Sequence, residues 1–176
     1  MNRAVFLDRD GVINGRAPLG DYITSWEEMK FLPAVTEAIY LLKQSGFLVI
    51  VATNQRCVAR GFITIEDLGV LHRKMCRELA LRGALIDGVY CCPHDVTPPC
   101  SCRKPEPGML LKAAQDYEIA LSESWMIGDS GTDIEAGRRA GCKTVRITQG
   151  ELHSENGADV IAPTLFDAVQ KILSSY

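Results

Sequence analysis

In FLDRDGVIN two carboxylates, Asp8 and Asp10, stand two residues apart at the end of the apolar run AVFL, residues 4–7. In extended backbone residues i and i+2 point to the same side, so the pair faces one ligand. Two carboxylates this close repel each other unless a proton or a cation intervenes. Gly11 follows at once and permits a sharp turn. Much later in the chain WMIGD ends in Asp129. As a third oxygen ligand, Asp129 would complete a set suited to Mg²⁺, which takes a few carboxylates together with water and phosphate oxygens. A lone D-x-D reads equally well as a turn; the other strand ends favour the cation.

A second group of ligand types lies in CCPHDVTPPCSCRKPEPG, residues 91–108. Cys92-x-His94 and Cys100-x-Cys102 supply three thiols and an imidazole, the complement of a closed zinc site with no vacancy for a catalytic water. The spacing is tighter than in a zinc finger, and Pro93, Pro98 and Pro99 stiffen the loop. A disulfide or inert buried thiols are the alternatives. The opening MNRAVFLDRDG has no secretory apolar region, so a reducing cytoplasm is expected, where disulfides are disfavoured. Strand alternation turns Cys91 away from the other four. Cys76 and Cys142 read as small buried residues, Trp26 and Trp125 as packing, and His153 as an unpartnered loop residue. His72, beside Arg73 and Lys74, reads as part of a solvated helix face.

Short apolar runs alternate with segments of helical period. Strands are expected at 4–7, 47–53, 87–92, 124–129, 143–147 and 158–162, and helices at 34–46, 64–83, 107–118, 132–141 and 164–175. Gly46 is placed as a C-cap, Thr64 as an N-cap and Pro107 as a helix start. This alternation predicts an α/β fold, a Rossmann-like parallel sheet with helices on both faces. At 176 residues it would be a single domain, 1–176. In such sheets ligands bind beyond the carboxyl ends of the strands. Asp8, Thr53–Asn54, the Cys/His loop and Gly128–Asp129 all fall on that edge. The net charge of −3 carries no electrostatic footprint for nucleic acid. No run is long enough to span a membrane, so neither of those partners is expected. A monomer is expected.

DRDG, TNQ at 53–55, Lys104 in CRKPEPG and GDSGTD at 128–133 together resemble, in order, the four motifs of the haloacid dehalogenase-like phosphatases. The resemblance implies Asp8 as nucleophile, forming an aspartyl-phosphate, and Asp10 as acid and then base. It implies Thr53 and Lys104 on the phosphoryl oxygens. Mg²⁺ would be held by Asp8, Asp129 and the carbonyl of Asp10. Asp133 either orients Lys104 or the outer metal shell, or is simply a helix N-terminal acid.

CPH with CSCRKPEPGM also resembles a narrower group, the bacterial heptose-bisphosphate phosphatases, whose core carries an inserted zinc-binding loop, here about 91–104. That implies Zn²⁺ on Cys92, His94, Cys100 and Cys102, pinning Arg103 over the substrate's far end. It implies a phosphorylated sugar as partner: D-glycero-D-manno-heptose 1,7-bisphosphate, losing its C7 phosphate on the way to nucleotide-activated heptose. Histidinol phosphate is the rival substrate, and a zinc-stabilised binding module without catalysis is the rival class. The segment 15–28 is too short for a domain-sized cap, which makes the cap minimal and Gly20, Asp21 and Tyr22 the sugar contacts. Asn54, Gln55 and Ser130 are counted with them. Where the group has Ser-Gly after TNQ, this chain has Arg56-Cys57. Arg56 either binds a second phosphate or faces solvent, and Cys57 would strain a left-handed backbone.

Overall fold

A computed structural model describes residues 1–150 and 157–175; His153 lies outside the described residues. Six strands form one all-parallel sheet: β1 Ala4–Leu7, β2 Leu48–Asn54, β3 Gly88–Cys92, β4 Trp125–Gly128, β5 Lys143–Ile147 and β6 Val160–Ala162. Their spatial order is β3-β2-β1-β4-β5-β6. Every residue of β1 and β4 is buried, as expected of strands covered on both faces.

Strand alternation sorts side chains into two apolar layers. Val5, Leu7, Val49, Val51, Ile127 and Val145 pack on helices α1 Val35–Gln44, α2 Ile65–Ala80 and α5 Leu165–Leu173. Phe6, Ile50, Ala52 and Met126 pack on α3 Gly108–Asp116 and α4 Gly131–Ala140. Both faces are therefore covered, as expected.

The helix ends follow local rules. Thr64 Oγ1 accepts from Asp67 N at 3.1 Å, capping α2. Gly46 takes φ +79° just beyond α1, conformational space that glycine enters at no steric cost. Pro107 proves to be the N-cap of α3 rather than its first residue. Residues 12–33 contain no helix; isolated bridges Asp10↔Asn14 and Asn14↔Phe31 fold them across the carboxyl edge.

The chain leaves β1 outward to β2 and β3, then returns to β4 on the other side of β1. Strand order thus reverses beside β1, and open parallel sheets place their ligand crevices at such a point. Asp8 and Asp129 follow the two strands that flank it.

Candidate active site

Lys104 is the hub of the crevice. Its ammonium is buried and meets three acceptors: Asp8 Oδ1 at 2.9 Å, Asp133 Oδ1 at 2.5 Å and the Ala52 carbonyl at 2.7 Å. An ammonium has three donors, so this one is saturated. Burial alone would lower its pKa, but Asp133 and Asp8 outweigh it and hold the group well above the ordinary lysine value. Asp8 is pushed up to about 7 by burial, against the pull of Lys104 and with repulsion from Asp133 and Asp10.

Asp133 does both things expected of it. It pairs with Lys104, and its Oδ2 accepts from Ser130 N at 3.0 Å and Ser130 Oγ at 2.5 Å, closing a capping box on α4. Gly128 is what lets it approach, because a Cβ there would overlap the Asp133 side chain. Gly11, at φ +89°, makes the turn expected after Asp10. A Cβ there would collide with the Asp129 carboxylate.

Asp10 is held differently. Arg9 Nη2 contacts both its oxygens at 2.9 and 3.0 Å, Asn14 Nδ2 donates at 2.8 Å, and Gln55 Nε2 donates at 2.8 Å while also reaching Thr53 Oγ1 at 2.9 Å. Arg9 is completely buried, and its Nη1 lies 3.1 Å from His72 Nε2. An arginine has no acceptor, so His72 Nε2 accepts and its proton sits on Nδ1. This corrects the sequence expectation for His72: it belongs to the buried face of α2 with Leu68 and Met75, not to the solvated one. Burial and the facing Arg9 charge push its pKa down to about 4.

Asp8, Asp129 and Asp133 each offer a carboxylate oxygen, all within 4.8 Å of one another. Asp129 Oδ1 is buried without a hydrogen-bond partner, and burial raises the pKa of the group despite Arg16. Three converging carboxylates with an orphaned oxygen suit a hard divalent cation. The residues fit Mg²⁺. Arg16, which the sequence reading passed over, donates from Nε to Asp129 Oδ2 at 2.5 Å although its side chain is 56% exposed.

The second ligand set also converges. Sγ of Cys92 lies 3.1 Å from Sγ of Cys102 and 3.6 Å from Sγ of Cys100, and Cys100 and Cys102 are 3.5 Å apart. His94 Nδ1 lies 3.6 Å from Cys92 Sγ and 3.3 Å from Cys102 Sγ. A disulfide would need about 2.05 Å. Tetrahedral Zn–S bonds of about 2.3 Å imply S–S edges of roughly 3.8 Å, which the two Cys100 pairs approach and the Cys92–Cys102 pair undershoots. The set fits zinc, and Cys91 packs into the opposite layer.

One pocket of about 330 Å³ gathers Asp8, Asp10, Gly20, Asp21, Tyr22, Thr53, Asn54, Gln55, Lys104, Asp129 and Ser130. Two expected contacts do not line it. Arg103 folds back to donate to the His94 carbonyl at 3.1 Å. Arg56 donates to the Tyr22 hydroxyl at 2.8 Å and faces Asp95, so it braces the loop that carries Tyr22. Asn54 lines the pocket, but its amide also grips Lys104, accepting from its N–H and donating to its carbonyl, each at 3.0 Å. Cys57 has no left-handed backbone and is not strained; its buried thiol donates to Gln55 Oε1 at 3.5 Å.

A parallel sheet that reverses at such a carboxylate–lysine centre defines a haloacid dehalogenase-like hydrolase. A family model described as HAD-hydrolase-like matches residues 101–171. The D-glycero-beta-D-manno-heptose-1,7-bisphosphate 7-phosphatase of Rhodopseudomonas palustris is 41% identical, the match covering 84% of either chain. The D-glycero-alpha-D-manno-heptose-1,7-bisphosphate 7-phosphatase of Mycobacterium bovis is 37% identical over 93% of this chain and 87% of its own. The crystal structure of D,D-heptose 1,7-bisphosphate phosphatase from B. bronchiseptica, complexed with magnesium and phosphate, superposes with a TM-score of 0.86 at 33% identity, covering 99% of each chain. The chain belongs to the D-glycero-D-manno-heptose-1,7-bisphosphate 7-phosphatase family.

Proposed function

We propose that this chain hydrolyses the C7 phosphate of D-glycero-D-manno-heptose 1,7-bisphosphate through an aspartyl-phosphate, as one catalytic domain. The observation that carries the reading is the contact of Lys104 with Asp8, beside Asp10 and Asp129 in one pocket. The family relationship supplies the substrate.

Asp8 Oδ attacks phosphorus and the bond from phosphorus to the C7 oxygen breaks. Asp10 gives that oxygen a proton, releasing heptose 1-phosphate. Asp10, now a base, takes a proton from water as the water oxygen attacks the phosphorus. The bond to Asp8 breaks and inorganic phosphate leaves. A carboxylate is a good leaving group here because its conjugate acid is stronger than the sugar alcohol. Thr53 would hold one phosphoryl oxygen, and Lys104 would take another with the donor that Asp8 releases as its oxygen turns to phosphorus. Mg²⁺ on Asp8, Asp129 and the Asp10 carbonyl would neutralise charge between a carboxylate nucleophile and a phosphate dianion. Arg9, Asn14 and Gln55 fix the Asp10 carboxyl, while Gly20, Asp21 and Tyr22 bound the sugar side. Zinc on Cys92, His94, Cys100 and Cys102 would hold the loop that ends in Lys104 and perform no chemistry. Among the described residues no helix is long and apolar enough to cross a membrane. A phosphorylated sugar in the cytoplasm, met by a monomer, completes the proposal.

The test is phosphate release from both anomers of the heptose bisphosphate and from histidinol phosphate, with and without Mg²⁺. Bisphosphate is expected to be the best substrate, with activity dependent on Mg²⁺ and abolished in Asp8→Asn. A higher kcat/KM for histidinol phosphate would overturn the substrate assignment, and full turnover by Asp8→Asn would overturn the mechanism.

A further inference from the structure

Across Asp129 from this pocket a second cleft, of about 310 Å³, opens between the end of β5 and the start of α4. Arg146 lines it and is only 9% exposed, yet its Nε and Nη1 are buried with no hydrogen-bond partner. Among the described residues no carboxylate pairs with it. An unpaired buried cation is costly, and such a group calls for an explanation.

Strand register explains its position. Arg146 pairs with Gly128 on β4, one residue before Asp129, at the carboxyl edge of the sheet. Val145 and Ile147 go to the layer of α1, α2 and α5, so Arg146 points to the face covered by α4. Ser130 and Gly131, where α4 begins, line the same cleft. A helix of 10 residues starting there adds the partial positive charge of its N-terminus. The Arg16 side chain is a further lining cation. The lining carboxylate, Asp129, is already covered by Arg16 at 2.5 Å.

We propose that this cleft is a phosphate-binding subsite in which the Arg146 guanidinium, with the first turn of α4, holds a dianionic phosphoryl group. The group comes either from a bisphosphorylated substrate, through its second phosphate, or from free inorganic phosphate; the first source rests on the function proposed above. A planar guanidinium with two unused nitrogens suits two phosphate oxygens.

The first arm of the test titrates inorganic phosphate into the full chain in magnesium-free buffer, where the carboxylates of the catalytic pocket repel a dianion. Wild type is expected to bind phosphate and gain thermal stability from it. Arg146→Leu is expected to bind it roughly tenfold or more weakly, the effect of removing a charged hydrogen-bond donor. Without phosphate its Tm should equal or exceed that of wild type, because leucine replaces an unpartnered ion. Arg146→Lys should keep part of the affinity.

The second arm compares kcat/KM for a sugar bisphosphate and the matching monophosphate. If the substrate's own second phosphate fills the cleft, Arg146→Leu loses the bisphosphate advantage and spares the monophosphate. If free phosphate fills it, both substrates change alike while phosphate binding is lost. Equal phosphate affinity in wild type and Arg146→Leu, together with an unchanged substrate ratio, overturns the proposal. The first arm needs no turnover, so it still decides the matter in a chain that fails as a phosphatase.

Discussion

The buried His72–Arg9 contact makes stability respond to pH in a way that can be worked through. The folded chain holds His72 neutral down to about 4, against an ordinary value of 6.5. Between those limits the unfolded chain binds a proton that the folded chain does not. Stability is therefore complete above pH 6.5 and is lost as pH falls towards 4. At about 1.4 kcal/mol per pH unit the full loss is about 3 kcal/mol, a large share of a typical margin of about 5–15 kcal/mol. Carboxylates titrate in the same range, so the comparison must be with a variant. In His72→Gln an amide oxygen can still accept from Arg9, and nothing at that position titrates. Urea unfolding at pH 7 should place this variant within about 1 kcal/mol of wild type, because the hydrogen bond survives. By about pH 4.5 the variant should have overtaken it. His72→Leu leaves a buried guanidinium donor unpaired and should cost about 1.5–3 kcal/mol even at pH 7. Parallel pH profiles for wild type and His72→Gln would refute the reasoning.

Three further outcomes are expected. Asp133→Ala removes one buried partner of Lys104, leaving Asp8, and the cap of α4, and should cost about 1.5–3 kcal/mol for the lost charged hydrogen bond and about 1 kcal/mol for the cap. Urea denaturation that finds less than about 1 kcal/mol would count against the network. Metal analysis should find zinc in wild type and none in Cys100→Ser/Cys102→Ser, which should also show lower Tm and activity; zinc content equal to wild type would argue against the ligand set. Gly11→Ala forces a Cβ into a left-handed position, costing about 1–2 kcal/mol, and crowds Asp129. Its Mg²⁺ affinity by calorimetry should fall, and an unchanged value would contradict the close approach.

Much of the fold was legible because the strands are buried on both faces. AVFL, a short apolar run ended by Asp8, and KTVRI, rich in β-branched residues and followed by a turn at Gln149–Gly150, were bounded correctly. Side chains at strand ends were equally readable, because topology alone brings Asp8, Thr53 and Asp129 to one edge. What escaped were long polar side chains reaching inward from irregular backbone. Arg16 lies in residues 12–33, where no period exists to show which way a side chain points. Arg103, expected over the substrate from the resemblance, and Arg56, left between a second phosphate and solvent, each found a nearer partner in a carbonyl or a phenol. For His72 a signal did exist. Leu68, His72, Met75 and Leu79 follow helical spacing on the buried face, and the neighbouring Arg73 and Lys74 obscured it. Arg146 carried a comparable signal, a charge flanked by apolar residues inside a strand.

The Cys/His cluster and Lys104 form one mechanical unit. Cys92 is the last residue of β3, and Asn54 opposite it ends β2. From Cys92 the chain loops out through His94 and returns at Cys102, two residues before Lys104. There the Asn54 amide takes hold of the Lys104 backbone in both directions. The lysine backbone is thus clamped at one point by a strand end and two residues earlier by the cluster, and its ammonium is met by Asp8, Asp133 and Ala52. A long flexible side chain ordinarily gives up about 1.5–2 kcal/mol of rotamer freedom when fixed. Folding and the loop site meet that cost in advance, so the ammonium is in place before any phosphate arrives. Though it lines no part of the pocket, the Cys/His cluster thus bears on the position of a single nitrogen atom inside it.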